Sequence, residues 1–111
     1  MEIQIIASGS SGNCYRISDG HTAVLLDAGI PFKAIQRAVG FRTHELSGAL
    51  ITHSHQDHCA AVRDLLRYGI GVYMSEGCKA ACAPNLGGIT TVKPLVRFYI
   101  GTFIVLPFDV E

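Results

Sequence analysis

The sequence lacks tryptophan and has few charged residues, which make up 16% of its 111 positions against a usual share of about 25%. Nine basic residues balance nine acidic ones, so no overall positive field favours nucleic acid, although a local basic patch remains compatible with that substrate. Hydrophobic residues reach 49%, which is typical of a chain that buries much of its surface. A chain of this length is sufficient for one domain.

Long hydrophobic runs are also missing. No stretch approaches the roughly 18 apolar residues that indicate a membrane span. Residues 1–7 contain neither the basic start nor the long apolar run of a secretory signal. We therefore expect no membrane partner and a cytoplasmic location.

The four cysteines form no C-x-x-C pair, which argues against a zinc ribbon or a thioredoxin-like motif. Cys78 and Cys82 are four residues apart, a spacing that places both on one helix face. A thiolate metal site lacks further cysteines nearby in the sequence. We expect Cys14, Cys59, Cys78 and Cys82 to act as small hydrophobic residues in a reducing compartment.

Strands dominate the first part of the chain and alternate with helices afterwards. Strands are predicted over 2–7, 14–18, 22–26, 46–52, 71–74 and, interrupted by prolines and a glycine, 90–110. Helices are predicted with Pro31 as a first helical position, from about His58 to Gly69, and after a Ser75 cap. This order predicts an α/β fold with a mixed sheet and helices packed on it.

Three of the five histidines lie within six residues, in the segment His53-Ser54-His55-Gln56-Asp57-His58. In an extended segment, residues two apart point to the same side, so His53 and His55 can hold one metal ion together. A turn into the following helix then directs Asp57 and His58 toward a second ion. Imidazole and carboxylate suit zinc best, with manganese or iron as alternatives. Two such ions about 3.5–4 Å apart can clamp an ester oxygen between them.

Three motifs together resemble one known family. Residues 52–58 resemble the H-x-H-x-D-H signature of the metallo-β-lactamase fold. Residues 25–29, a strand ending in Asp-x-Gly, resemble the first motif of that family. Residues 7–15, Ala-Ser-Gly-Ser-Ser-Gly-Asn-Cys-Tyr, resemble the opening of a bacterial branch related to a DNA exonuclease. The resemblance implies that residues 1–111 are a single, truncated domain, the N-terminal half of an α/β/β/α sandwich.

The resemblance also implies roles for individual residues. His53 and His55 would bind the first metal ion, and Asp57 and His58 the second. Asp57 would also be catalytic, because it handles the proton of the attacking water. Asp27 would lie beneath the site and orient it by hydrogen bonding.

The later ligands of the family do not occur in this sequence. These are a further histidine, a bridging aspartate and a late histidine, and in the branch resembled here a His-Asp pair commonly follows a Pro-Phe-x-Val segment. The sequence has Pro107-Phe108-Asp109-Val110 and ends at Glu111. We therefore expect little activity from the chain alone, and self-association through the apolar surface that truncation exposes.

The function expected of the complete domain is hydrolysis of a phosphodiester, as in a nuclease, with a metal-activated water as nucleophile. Glyoxalase-type thioesterases and persulfide dioxygenases resemble the same motif, and the dioxygenases use one iron, so the metal content separates these alternatives. A non-catalytic fragment that binds metal weakly is the third hypothesis.

The Ser-Gly loop, residues 8–13, could line the site or form a flexible hairpin tip. His21 and His44 are expected to be solvated.

Overall fold

The computed structural model describes residues 1–108, so the predicted Asp109-Val110 motif lies outside the described residues. The strands are β1 (Glu2–Ala7), β2 (Cys14–Ser18), β3 (Ala23–Ala28), β4 (Leu46–Leu50), β5 (Val72–Ser75), β6 (Ile89–Val92), β7 (Phe98–Ile100) and β8 (Phe103–Val105). The helices are α1 (Phe32–Ala38), α2 (Gln56–Cys59), α3 (Val62–Arg67) and α4 (Glu76–Cys82), with a 3-10 turn at Thr43–Glu45.

In the described part of the chain, β1 to β6 form one sheet whose spatial order follows the sequence. The first three strands form an antiparallel meander, because short turns join them. From β3 to β6 the neighbours are parallel, because helical connections return the chain to the same end of the sheet. β7 and β8 form a separate antiparallel hairpin. The predicted α/β class and mixed sheet are confirmed.

One face of the sheet forms the hydrophobic core with the helices. Leu25, Ala49 and Val72 are neighbours across β3, β4 and β5, and all three are fully buried. The same cluster contains Ile35 of α1 and Leu65 of α3. Burying a leucine or isoleucine side chain contributes roughly 1.5–3 kcal/mol, so this face holds the helices on the sheet.

The opposite face carries the alternate residues, as strand geometry requires. Leu26, Leu50 and Tyr73 are neighbours there. The Tyr73 ring stacks on Phe98 of the β7–β8 hairpin, with ring centroids 5.3 Å apart. The hairpin therefore covers part of this second face.

Several predicted boundaries need correction. Pro31 immediately precedes α1 instead of being its first helical residue. The helix that follows the histidines begins at Gln56, not near His58, because the His55 carbonyl accepts bonds from the backbone N–H of His58 at 2.9 Å and Cys59 at 3.2 Å. β4 ends at Leu50, before the predicted Thr52, since the Thr52 N–H donates to a side chain instead of a strand.

The predicted Ser75 cap is confirmed, because its hydroxyl accepts a 3.1 Å bond from the Cys78 N–H. Cys14, Cys59 and Cys78 are buried and free, and Cys82 is partly exposed. Burial raises the pKa of the first three thiols to about 12, so they remain protonated at neutral pH. These three therefore behave as the predicted small hydrophobic residues.

No helix in residues 1–108 has the length and apolar character needed to cross a bilayer. The longest helices, α1 and α4, contain seven residues each.

Candidate metal centre

The predicted ligands lie at the carboxyl ends of two neighbouring parallel strands. Leu26 of β3 pairs with Leu50 of β4. The residues that follow, Asp27 and the segment 51–55, therefore emerge side by side at one edge of the sheet. Ligands in α/β sheets bind outside this carboxyl edge.

Asp27 lies beneath the histidine segment and is 4% exposed. Its Oδ1 accepts a 2.8 Å bond from the Thr52 backbone N–H, and the Thr52 hydroxyl lies 2.8 Å from Oδ2 and 3.0 Å from Oδ1. Its Oδ2 also lies 2.9 Å from Nδ1 of His58. The backbone of Asp27 is left-handed, with φ at 63°, a conformation that costs a non-glycine residue free energy. The contacts with Thr52 and His58 stabilise Asp27 in this conformation.

His53 and His58 approach Asp27 from the segment above. Their ring centroids are 4.5 Å apart. Each of the three residues offers one ligand atom, and the three atoms lie within 4.8 Å of one another. Two imidazole nitrogens and a carboxylate oxygen form a donor set that fits zinc, with manganese or iron as alternatives.

The bond to Asp27 determines the tautomer of His58. A carboxylate can only accept, so the proton of a neutral His58 ring is on Nδ1. The lone pair of Nε2 is then free to bind a metal, as in the carboxylate–histidine–metal arrangement of many zinc sites. Nε2 lies 3.5 Å from Oδ2 of Asp57. One potential ligand atom of Asp57 thus lies close to one of His58, although Asp57 does not belong to the group of three.

Asp57 is held by Asn13 of the Ser-Gly loop. The Asn13 backbone N–H donates to the Asp57 carbonyl oxygen at 2.7 Å. The Asn13 side-chain Nδ2 is 3.3 Å from the same oxygen and 3.4 Å from Oδ2 of the carboxylate. Sequence reasoning identified the loop but not this residue. The feature of the sequence that could have indicated Asn13 is its position directly after the serines and glycines of that loop.

His55 has a different position. It immediately precedes α2 in an extended conformation, is exposed, and lies outside the group formed by Asp27, His53 and His58. Its shared ion with His53 stays a prediction. His21 and His44 are exposed, as expected for solvated residues.

A cavity of about 620 Å³ opens beside Thr52 and His53, between the sheet and the β7–β8 hairpin. Leu26, Leu50, Tyr73, Phe98 and Leu106 are among its mainly apolar lining residues. Within the described residues, its wall contains no lysine, arginine, aspartate or glutamate. The candidate metal centre therefore adjoins apolar surface on one side.

Residues 7–76 match the metallo-beta-lactamase superfamily. This match covers more than half of the chain, and the chain belongs to that superfamily. The fold described above agrees with it, and Asp27, His53 and His58 form a candidate metal cluster.

Two curated relatives are exodeoxyribonucleases by name. The chain is 30% identical to exodeoxyribonuclease YycJ of Bacillus anthracis over 105 residues, which cover 91% of this chain and 39% of that protein. It is 38% identical to exodeoxyribonuclease WalJ of Streptococcus pneumoniae over 76 residues, which cover 65% of this chain and 28% of that protein. The chain thus spans less than half the length of these relatives.

Solved structures of the superfamily share the fold. A metallo-β-lactamase from Cronobacter sakazakii has a TM-score of 0.70 at 16% identity, covering 89% of this chain and 46% of that one. A metallo-β-lactamase from Pontibacter korlensis has a TM-score of 0.67 at 19% identity, and the match covers 93% of this chain and 58% of that one. At these identities the likeness shows the fold alone. It confirms the predicted metallo-β-lactamase type of sandwich, of which the chain covers a part.

Proposed function

We propose that this chain carries the N-terminal metal ligands of a metal-dependent phosphodiesterase that hydrolyses DNA. The observation that carries the proposal is that His53 and His58 converge on the buried Asp27 at the carboxyl edge of the sheet, with one potential ligand atom of each residue within 4.8 Å of the others. The exodeoxyribonuclease names of two relatives support the substrate class. Membership of the metallo-beta-lactamase superfamily supports the metal-dependent hydrolase class.

In this proposal His53 and His55 hold one divalent ion, and Asp57 and His58 hold a second. Zinc is the first choice, with manganese or iron as alternatives. The ions would supply an activated water and stabilise the charge that develops on the phosphate. Asp27 orients His58 through the 2.9 Å bond to Nδ1. Asp57, whose side chain is 29% exposed, is the residue that takes the proton of the attacking water.

A thioesterase-type hydrolase is the second candidate. The observation that favours it is the apolar cavity beside His53, whose described wall offers no cation to a phosphate. An acyl chain would fit such a wall better than a polyanion. Hydrolysis of an acyl thioester, but of neither a chromogenic phosphodiester nor DNA, would favour this candidate.

The first test is metal binding by residues 1–111, measured by isothermal titration calorimetry with zinc and with manganese. We expect His53→Ala and His58→Ala to lower affinity at least about tenfold, because each removes a proposed ligand. His21→Ala is the matched control, since His21 is an exposed histidine in the turn between β2 and β3. Unchanged affinity in His58→Ala would contradict the ligand set.

Metal analysis separates the remaining alternative. One iron per chain, together with oxygen consumption, would point to a dioxygenase.

The second test is activity on a chromogenic phosphodiester and on duplex DNA. We expect residues 1–111 to turn over far more slowly than the full-length exodeoxyribonuclease YycJ of Bacillus anthracis, of which the match covers 39%. The reason is that each ion has only two proposed protein ligands here, whereas catalytic zinc usually has three. Equal turnover by the two chains, abolished by His55→Ala, would contradict this expectation.

We also propose that copies of the chain associate through exposed apolar surface. Ile3 and Ile5 are exposed on the edge strand β1, and Tyr99 and Ile104 on the hairpin. Sheet edges and apolar patches of this kind favour association. Sedimentation equilibrium tests it, and a monomer at all concentrations would contradict it.

A further inference from the structure

Thr52 lies between the buried Asp27 carboxylate and the ring of His53. Its Oγ1 is 2.8 Å and 3.0 Å from the two carboxylate oxygens of Asp27. The same oxygen is 2.7 Å from Nδ1 of His53. One hydroxyl group thus contacts both the carboxylate and a proposed metal ligand.

The position of the hydroxyl proton follows from the chemistry of the partners. A hydroxyl has one proton to donate, and a carboxylate can only accept. If the proton pointed at His53, Oγ1 would face two carboxylate oxygens within 3.0 Å with lone pairs alone. The proton therefore points to Asp27, where the bond is charge-assisted. Oγ1 then accepts from the Nδ1–H of His53.

We propose that Thr52 is a positioning residue. Its hydroxyl donates to Asp27 and accepts from the Nδ1–H of His53, and this holds the His53 ring as the Nδ1–H tautomer. The lone pair of His53 Nε2 is then free to bind a metal. His58 obtains the same tautomer directly, through its 2.9 Å contact with Asp27. One buried carboxylate thus sets two imidazoles whose ring centroids are 4.5 Å apart. The inference that this arrangement serves metal binding rests on the proposed function. The tautomer of His53 follows from the hydrogen bonds alone.

The backbone makes the side-chain role testable by itself. The Thr52 N–H donates a 2.8 Å bond to Oδ1 of Asp27, and replacing Thr52 with valine, serine or alanine retains this N–H. Thr52→Val has nearly the shape of threonine without the hydroxyl, and Thr52→Ser retains the hydroxyl. Thr52→Ala is a second hydroxyl-free chain, should the valine variant fold poorly. Thr90→Val, at an exposed position of β6, is the control for the substitution itself.

The first measurement is the tautomer of each histidine in the metal-free chain. Two-bond ¹⁵N–¹H correlation spectra at one fixed neutral pH distinguish the Nδ1–H form from the Nε2–H form. We expect the Nδ1–H form of His53 in the parent chain, in Thr52→Ser and in Thr90→Val. In Thr52→Val and Thr52→Ala we expect a shift toward the Nε2–H form, which histidine favours in water. His58 should keep Nδ1–H throughout, because it contacts Asp27 directly.

The second measurement is zinc affinity by calorimetry. We expect Thr52→Val to weaken binding about 10–100-fold, the usual effect of removing a partner that orients a ligand. Thr52→Ser should bind like the parent chain. An Nδ1–H ring at His53 in Thr52→Val, or an Nε2–H ring in the parent chain, overturns the proposal. So does unchanged zinc affinity with only a lowered melting temperature. If the parent chain binds no zinc, the proposed function fails, while the tautomer still decides the role of Thr52.

Discussion

Asn13 and Asp57, 44 positions apart in the sequence, are joined by both backbone and side chain. The Asn13 N–H donates to the Asp57 carbonyl oxygen at 2.7 Å, and Nδ2 of Asn13 lies 3.4 Å from Oδ2 of the carboxylate. The same amide group closes its own loop, because Oδ1 accepts from the Gly9 N–H at 3.2 Å and Nδ2 donates to the Gly9 carbonyl at 3.0 Å. The Ser-Gly loop is therefore tied to the first turn of α2.

Asn13→Ala should weaken this connection without breaking the fold, because the backbone bond remains. We expect the free energy of unfolding to fall by about 1 kcal/mol, the net value of a typical hydrogen bond. We expect metal affinity to fall about tenfold, since Asp57 loses a partner that orients it. Urea denaturation and calorimetry measure the two effects.

The matched control for this prediction is Asn85→Ala, at an exposed asparagine after α4. It should change neither quantity. Asn13→Asp should be more damaging than Asn13→Ala, because it places a second carboxylate next to Asp57. A fully stable Asn13→Ala chain with parental metal affinity would show that the amide does not support Asp57.

Gly29 is required by the close approach of α2 to the end of β3. A Cβ atom at Gly29 would lie 1.8 Å from the Asp57 carbonyl oxygen and 2.5 Å from the His58 backbone nitrogen. These are backbone atoms, so relief requires moving α2 and its ligands away from Asp27. We expect Gly29→Ala to lower the free energy of unfolding by about 3 kcal/mol, the upper part of the usual range for overpacking. Urea denaturation measures this.

Gly77 provides the comparison. It lies within α4, and a Cβ there would meet nothing within 4 Å. Gly77→Ala should stabilise the chain by about 0.5–1 kcal/mol, because alanine has the higher helix propensity. Equal stabilities for the two variants would mean that the contact between Gly29 and α2 is not tight in solution.

Asp19 should make stability depend on acid pH. The Thr102 hydroxyl, and then the backbone N–H groups of Thr22 and His21, bond to its carboxylate and lower its pKa to about 2. The unfolded pKa is about 3.9, so the stabilisation is complete above that value. This stabilisation is lost as the pH falls from about 3.9 toward about 2, because Asp19 is then protonated in both the folded and the unfolded chain.

The measurement is urea denaturation of the parent chain and of Asp19→Asn at several pH values. The parent chain should be the more stable of the two at pH 7, and the difference should shrink as the solution is acidified. Asp64→Asn, which removes a carboxylate next to Arg67 on α3, is the control for loss of a surface charge. A difference between the parent chain and Asp19→Asn that does not vary with pH would contradict the assignment.

The sequence was sufficient for the features that depend on near neighbours. The meander from β1 to β3 could be predicted because short turn motifs separate apolar segments. The Ser75 cap could be predicted because it bonds to a residue three positions later. Helix starts were less accurate, because whether Gln56 or His58 begins α2 depends on how the chain leaves the sheet edge.

By itself, the sequence determined which residues can bind a metal, because ligand chemistry belongs to the side chain and the spacing of His53, His55, Asp57 and His58 is local. Only the tertiary structure decided which of them meet. It brings His53 and His58 to Asp27 and places Thr52 between Asp27 and His53. These contacts exist because β3 and β4 are parallel neighbours whose carboxyl ends coincide, and no local pattern specifies that pairing.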